Sequence, residues 1–166
     1  MINIAIVVVV LFLVFGVVRA VVIVPPGSAY VIERLGRYRG TLAAGFHMIT
    51  PLVDRVAHRH SLALQTEELS DICTTKDHHR IRVAASFRFR VLDSQRAAYG
   101  SADYLQFIRE LVRTVQNRFV DQVDWEFLRE NSRSLEREVL HDLEAPAETV
   151  GVKVLGYEMR DLKLQV

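Results

Sequence analysis

The sequence predicts an α+β domain joined to an N-terminal membrane helix. Three observations lead there. Ile4 to Val18 holds no polar side chain. Arg80 to Val91 alternates polar and apolar residues with the period of a strand. From Tyr104 the apolar spacing lengthens to that of a helix, and strand character returns over Val150 to Leu164.

The apolar block resumes after Arg19 as Ala20 to Val24. Taken as one helix from Ile2 to Val24, at about 1.5 Å per residue, it spans a hydrocarbon core of roughly 30 Å. Ile4, Val7, Leu11, Phe15, Val18 and Val22 are its anchor positions, and Asn3 and Arg19 sit near the ends where polar groups reach the interface. Pro25 and Pro26 stop the helix, because proline lacks the N–H and restricts the residue before it. A cleaved signal peptide would need a basic leader and a small-residue cleavage site. A buried core helix would be unusual at this length and position, and a re-entrant hairpin would need a stronger midpoint break than Gly16. Arg19, Arg34, Arg37 and Arg39 all follow the block, so the positive-inside tendency places the C-terminal domain in the cytoplasm. The expectation is a single-pass membrane protein.

Ser28 to Leu35 reads as a strand, with Gly36, Gly40 and Gly45 at turns. Phe46 to Ile49 is a short apolar piece ended by Thr50-Pro51. Arg55 to Leu69 alternates loosely, placing Val56, Leu62, Leu64 and Leu69 inward. Thr74 to Asp77 is a turn. On the strand Arg80 to Val91, Ile81, Val83, Ala85, Phe87, Phe89 and Val91 share one face; Arg80, Arg82, Ser86, Arg88 and Arg90 share the other. Tyr104, Leu105, Ile108, Leu111, Val112, Val115 and Phe119 mark an amphipathic helix capped by Ser101 or Asp103. A short helix covers Trp125 to Leu128. A further one, through Leu135, Val139, Leu140 and Leu143, begins near Asn131 or Ser132, and Pro146 ends or kinks it. In the final strand, Gly151 and Gly156 are breaks. The expected organisation is an anchor over 1–24, a β-rich subdomain over 25–95 and an α/β subdomain over 96–166.

The 166 residues are 50% hydrophobic and 25% charged, a composition that can bury a core and argues against disorder. With 21 basic residues against 20 acidic ones, a general nucleic-acid binder is disfavoured. Cys73 is the one cysteine, which excludes a disulfide framework and a multi-cysteine metal site.

Arg80, Arg82, Arg88 and Arg90 form a candidate basic face for anionic lipid headgroups or nucleic acid. The plainer reading is a solvated sheet face with Glu67 and Glu68 as cross-strand partners. His58 and His60 share a strand face, and His78 and His79 lie beside a turn. A zinc site needs three or four such ligands to converge, and spacing does not bring these together. Cys73 could serve as a nucleophile with one of the histidines, but no local signature accompanies it. Phosphate-loop, nucleophile-elbow and zinc-protease motifs are missing, so the sequence offers no catalytic constellation, no cofactor and no metal.

Ile32-Glu33-Arg34-Leu35-Gly36-Arg37-Tyr38, followed by Leu42, Gly45, Pro51 and Asp54, resembles the start of a stomatin/prohibitin-type SPFH (Band 7) domain. Thr75-Lys76-Asp77, Arg96 to Tyr99, Gly151 to Val154 and Arg160 to Leu164 extend the likeness in family order, nearest to the stomatin/paraslipin branch. Glu33, Arg34, Gly36, Gly45, Pro51, Asp54, Lys76, Asp77, Gly151 and Asp161 are the motif positions. The resemblance implies a non-enzymatic scaffold on the lipid bilayer. Such a scaffold self-associates into homo-oligomers, organises membrane patches and modulates membrane proteases or channels, in some relatives with an NfeD-type membrane partner. The balanced charge leaves no nucleic-acid partner expected. Ala44, Val150 and Gln165 depart from the family pattern, and the coiled-coil helix that usually follows is expected to be lacking after Val166. Two other readings stand beside this one: a membrane-tethered metal-dependent or Cys/His hydrolase, and a binder of anionic lipid or nucleic acid through the arginine face.

Overall fold

A computed structural model describes residues 2–165; the side chains of residues 2–5, 9, 13 and 16–18 lie outside that description. The chain divides into two compact units, residues 1–62 and 63–166. This division cuts through the expected 25–95 segment.

In the first unit, helix α1 runs over Ile2–Ala20 and is followed directly by strand β1, Val21–Val24. Val22 therefore belongs to a strand, which corrects the expected helix to Val24. Three of the four β1 residues are valine, and Pro25 holds Val24 in an extended conformation, so the helix gives way before the prolines. At 19 residues, α1 is about 28 Å long. Its described side chains at Val7, Leu11 and Phe15 are exposed; those of Ile4 and Val18 lie outside the described residues. Among the described residues, no helix is long and apolar enough to cross a membrane.

Strand β2 spans Ser28–Arg34, β3 Arg37–Leu42, β4 Gly45–Met48 and β5 Asp54–Ser61. β1 pairs antiparallel with β4, and a separate antiparallel sheet has the order β3-β2-β5. Leu35 and Gly36 both take positive φ, 51° and 79°, between β2 and β3. That geometry is the tight hairpin whose twist matches the flanking strands, and it favours glycine at its second position. Val24, Ala29, Val31 and Ile32 are buried.

The second unit is an antiparallel sheet of order β6-β7-β8 with helices on one face. Its elements are β6 (Gln65–Thr74), β7 (Arg80–Val91), α2 (Ser94–Tyr99), α3 (Tyr104–Asp121), α4 (Trp125–Thr149) and β8 (Val152–Leu164). β7 has the predicted bounds, and its six inward residues are buried. Ala85, Phe87, Phe89 and Val91 pack with Ile108, Val112, Val139 and Leu143 from α3 and α4 and with Val152, Val154 and Tyr157 from β8, whereas Ile81 and Val83 pack with Cys73, Val120, Leu128 and Leu135. Asp103 caps α3 by accepting from Leu105 N and Gln106 N.

Three local expectations change, and the boundary at Asn131 holds. Leu62 and Leu64 are exposed, because Arg55 to Leu69 is two strands in different sheets and no single alternation crosses the turn between them. The two helices expected around Asn131 are the two arms of α4, which is kinked by a non-helical backbone at Asn131 (φ −115°, ψ 21°). Pro146 lies inside α4 rather than at its end. Its ring removes the N–H that would bond the Asp142 carbonyl, and Thr149 Oγ donates to the Pro146 carbonyl at 2.6 Å. Gly156 lies within β8, where a Cβ would come within 3.0 Å of the Arg88 guanidinium. Glycine there makes room for an arginine rather than ending the strand.

Candidate functional site

In the first unit the β1–β4 ribbon has one uncovered apolar face. Its register sets Val21 opposite Met48 and Ile23 opposite Phe46, so alternation points all four the same way. Ile23, Phe46 and Met48 are 71%, 66% and 69% exposed. Leu52, in the loop before β5, is 96% exposed and has φ 77°. An open groove of about 950 Å³ runs beside them, lined by Phe12, Phe15, Val22, Met48, Pro51 and Leu52 among others. Large apolar side chains at this exposure are uncommon on a surface that only meets water.

A buried carboxylate holds the loop that presents Leu52. Asp54 accepts from Arg34 Nε at 2.7 Å and Nη2 at 3.0 Å, from Arg39, and from Thr50 N at 2.8 Å. The Arg34 guanidinium, above all, holds the Asp54 carboxyl well below the usual carboxylate range, helped by the Thr50 N–H and by Arg39. One side chain thereby ties β2 and β3 to both ends of the 50–53 loop. On the same sheet Arg55 donates to Glu33 at 3.0 and 2.7 Å.

The second unit has a polar knot in its core. Tyr157 donates to Gln116 Oε1 at 2.7 Å, Gln116 Nε2 approaches Cys73 Sγ at 3.5 Å, and the Cys73 thiol donates to Asn117 at 2.8 Å. Gln116 is fully buried, and burial pushes both the Cys73 thiol and the Tyr157 phenol up. A buried thiol held protonated among amides is a poor nucleophile. Its partners are amides and not the histidine a Cys/His reading needs. His58 and His60 stack at 6.0 Å on β5, and burial lowers the His60 imidazole below its ordinary value. Among the described residues, no three His, Cys, Asp or Glu side chains converge to hold a metal ion.

The four arginines of β7 lie on the face opposite the core, all exposed. Glu67 and Glu68 are not their partners: Glu67 pairs with Arg109 at 2.6 Å and Glu68 with Arg160 at 3.4 Å. Arg88 instead pairs with Glu158 of β8 at 3.0 Å.

The model of the SPFH domain / Band 7 family matches residues 22–165. The chain belongs to this family. Human and bovine stomatin-like protein 2, mitochondrial, are each 25% identical over 145 residues, which is 86% of this chain and 40% of theirs. The Caenorhabditis elegans stomatin-like protein stl-1 is 24% identical over 144 residues, 85% of this chain and 44% of its own length. An uncharacterized Schizosaccharomyces pombe protein, C16G5.07c, is 27% identical over 141 residues, covering 84% and 40%. This SPFH chain thus spans about two-fifths of the length of the curated relatives it matches. Similarity to stomatin-like proteins supports the stomatin/paraslipin branch.

The motif positions of the SPFH chain fall at turns and clamps rather than in one cleft. Glu33, Arg34 and Asp54 make the ion pairs of the first unit; Gly36 shapes its hairpin, Gly45 opens β4, and Pro51 lies in the clamped loop. Lys76 and Asp77 form the turn before β7, where Lys76 N donates to the Val123 carbonyl and the Asp77 carboxylate accepts from Trp125 N at 3.3 Å. Asp77 thereby serves the start of α4, whose own Asp124 makes no side-chain capping bond. Thr75, more than any other neighbour, lowers the Asp77 carboxyl by hydrogen bonding. Gly151 has φ 70°, and a Cβ there would lie 2.4 Å from the Asp93 carbonyl oxygen. Asp161 pairs with Lys163 at 2.6 Å. Sequence reasoning missed Arg39, Asp93, Gln116 and Tyr157. Arg39 and Asp93 carry no pattern of their own, whereas Gln116 on the apolar stripe of α3 was a readable signal.

Proposed function

We propose that this chain is a membrane-anchored, non-catalytic scaffold whose copies cluster in the plane of the bilayer and organise the membrane proteins around them. The observation that carries the reading is the exposed apolar face of Ile23, Phe46 and Met48, with half-buried Val21 beside them, which continues directly from the apolar helix α1. In this reading α1 enters the hydrocarbon core, the ribbon and Leu52 meet the interface, and Arg19 reaches toward headgroups. The arginine bias after α1 sets the folded units on the cytoplasmic side. Membrane proteases or channels, or an NfeD-type protein, are the clients the family likeness points to.

Flotation of the full chain with phosphatidylcholine vesicles, followed by carbonate extraction, tests this. The chain should float and resist carbonate. Leu11→Arg with Val8→Arg should abolish carbonate resistance, since each charge at a helix centre costs roughly 2.5–3.5 kcal/mol. A full chain that stays at the bottom of the gradient refutes the reading.

A further inference from the structure

The outward face of the β6-β7-β8 sheet carries charges that the chain itself leaves uncompensated. Register sets Arg82 of β7 directly opposite Lys163 of β8, and Arg90 directly opposite Lys153. Like charges opposite each other across a ladder are destabilising. Three ion pairs neutralise part of this face: Arg88–Glu158, Arg160–Glu68 and Lys163–Asp161. Among the described residues Arg80, Arg82, Arg90 and Lys153 enter no ion pair, which leaves positive charge at both ends of the sheet.

The C-terminal half of α4 has the opposite problem. From Glu138 to Thr149 it carries Glu138, Asp142, Glu144 and Glu148 without one Lys or Arg. Asp142 is paired with Arg118, while Glu138, Glu144 and Glu148 are exposed and, among the described residues, outside any ion pair. Glu144 and Glu148 are four residues apart, so they repel along the helix. No basic residue lies in the last turn, where the helix dipole favours one.

Resting on the clustering proposed above, we infer that the basic sheet face of one copy binds the acidic C-terminal half of α4 of a second copy. Each surface supplies the charge that relieves the other's repulsion. One is a sheet face and the other a helix face, so the contact is heterologous: every copy keeps one free surface of each kind. Repetition then produces a closed ring or an open row rather than a sealed dimer. Confinement to a bilayer raises the local concentration at which such charge-based contacts act.

Charge reversal tests the inference on the full chain in phosphatidylcholine vesicles, with energy transfer between donor- and acceptor-tagged copies as the readout. Arg82→Glu with Arg90→Glu should lower self-association at least tenfold, and so should Glu144→Lys with Glu148→Lys. An equimolar mixture of the two variants should recover it, because each then offers the surface the other needs. A chain carrying all four changes should also self-associate, which shows that the variants fold. Wild-type transfer should fall in 1 M salt. Self-association that ignores both reversals, or a mixture that does not recover, overturns this contact and leaves the scaffold reading standing. Transfer that rises with phosphatidylserine content and is indifferent to Glu144 and Glu148 assigns the arginines to lipid and also overturns it. A wild-type chain that floats but never self-associates refutes the clustering itself.

Discussion

A chain beginning at Arg19 separates what the β1–β4 ribbon contributes to membrane binding from what α1 contributes. The cut keeps Ala20, because its carbonyl accepts from Ile49 N at 2.8 Å and its side chain is buried. On this background Phe46 and Met48 are both changed to serine. Complete burial of such a side chain is worth about 1.5–3 kcal/mol. Phe46 and Met48 leave 66% and 69% of their surface open, so about two-thirds of that value remains for the membrane to collect from each. The pair therefore represents about 2–4 kcal/mol, or a roughly 30- to 1000-fold change in vesicle partitioning. Both side chains face outward, so the folded unit should keep its thermal midpoint. Sedimentation with phosphatidylcholine vesicles over a lipid titration reads the partition coefficient. An unchanged coefficient, or a truncated parent that shows no binding at any lipid concentration, would refute the argument from exposure.

Four further outcomes follow from the interior. Tyr157→Phe leaves the buried Gln116 oxygen without its donor and should cost about 1–3 kcal/mol in urea unfolding, whereas adding Gln116→Leu should recover part of that loss. Gly151→Val should destabilise by about 2–5 kcal/mol, since φ 70° opposes a side chain and a Cβ would collide with the Asp93 carbonyl. The depressed Asp54 carboxyl stabilises the fold at every pH above the ordinary carboxylate value, and that contribution drains away as pH falls below about 4. The stability gap between wild type and Asp54→Asn should thus be flat from pH 7 to 5 and shrink in stronger acid; a gap that widens on acidification contradicts the clamp. Cys73 should resist iodoacetamide in the native chain at pH 7.5 and react in denaturant, because burial keeps the thiol protonated and out of reach.

The parts legible in the sequence were those governed by one local period. β7 was readable to the residue because alternate side chains meet core and solvent along its whole length, and the stripe of α3 was readable for the same reason, while its cap stayed open between Ser101 and Asp103 until the structure chose Asp103. What stayed hidden depended on partners far along the chain. Val21 to Val24 look like the end of an apolar helix until β4, beginning 21 residues later at Gly45, offers them a ladder. Arg39 does not show that it will meet Asp54, nor Asp93 that it will crowd Gly151. The arginine face was visible as a pattern, but its like-charge cross-strand pairs emerge only from the register with β8.

Placing β8 after the helices has a consequence for synthesis. About 60 residues separate the end of β7 at Val91 from the start of β8 at Val152. At 5–20 residues per second, roughly 3–12 s pass between their emergence from the ribosome. For that interval one flank of β7 has no strand beside it, and Val152, Val154 and Tyr157 have yet to join the core around Phe87 and Phe89. The apolar residues of α1 leave the ribosome before any of this, so a nascent chain can be tethered to a membrane while its larger unit is still open. Neighbouring nascent chains on one membrane would then present unpaired β7 edges to each other, and prompt shielding by a chaperone matters most in the seconds before Val152 appears.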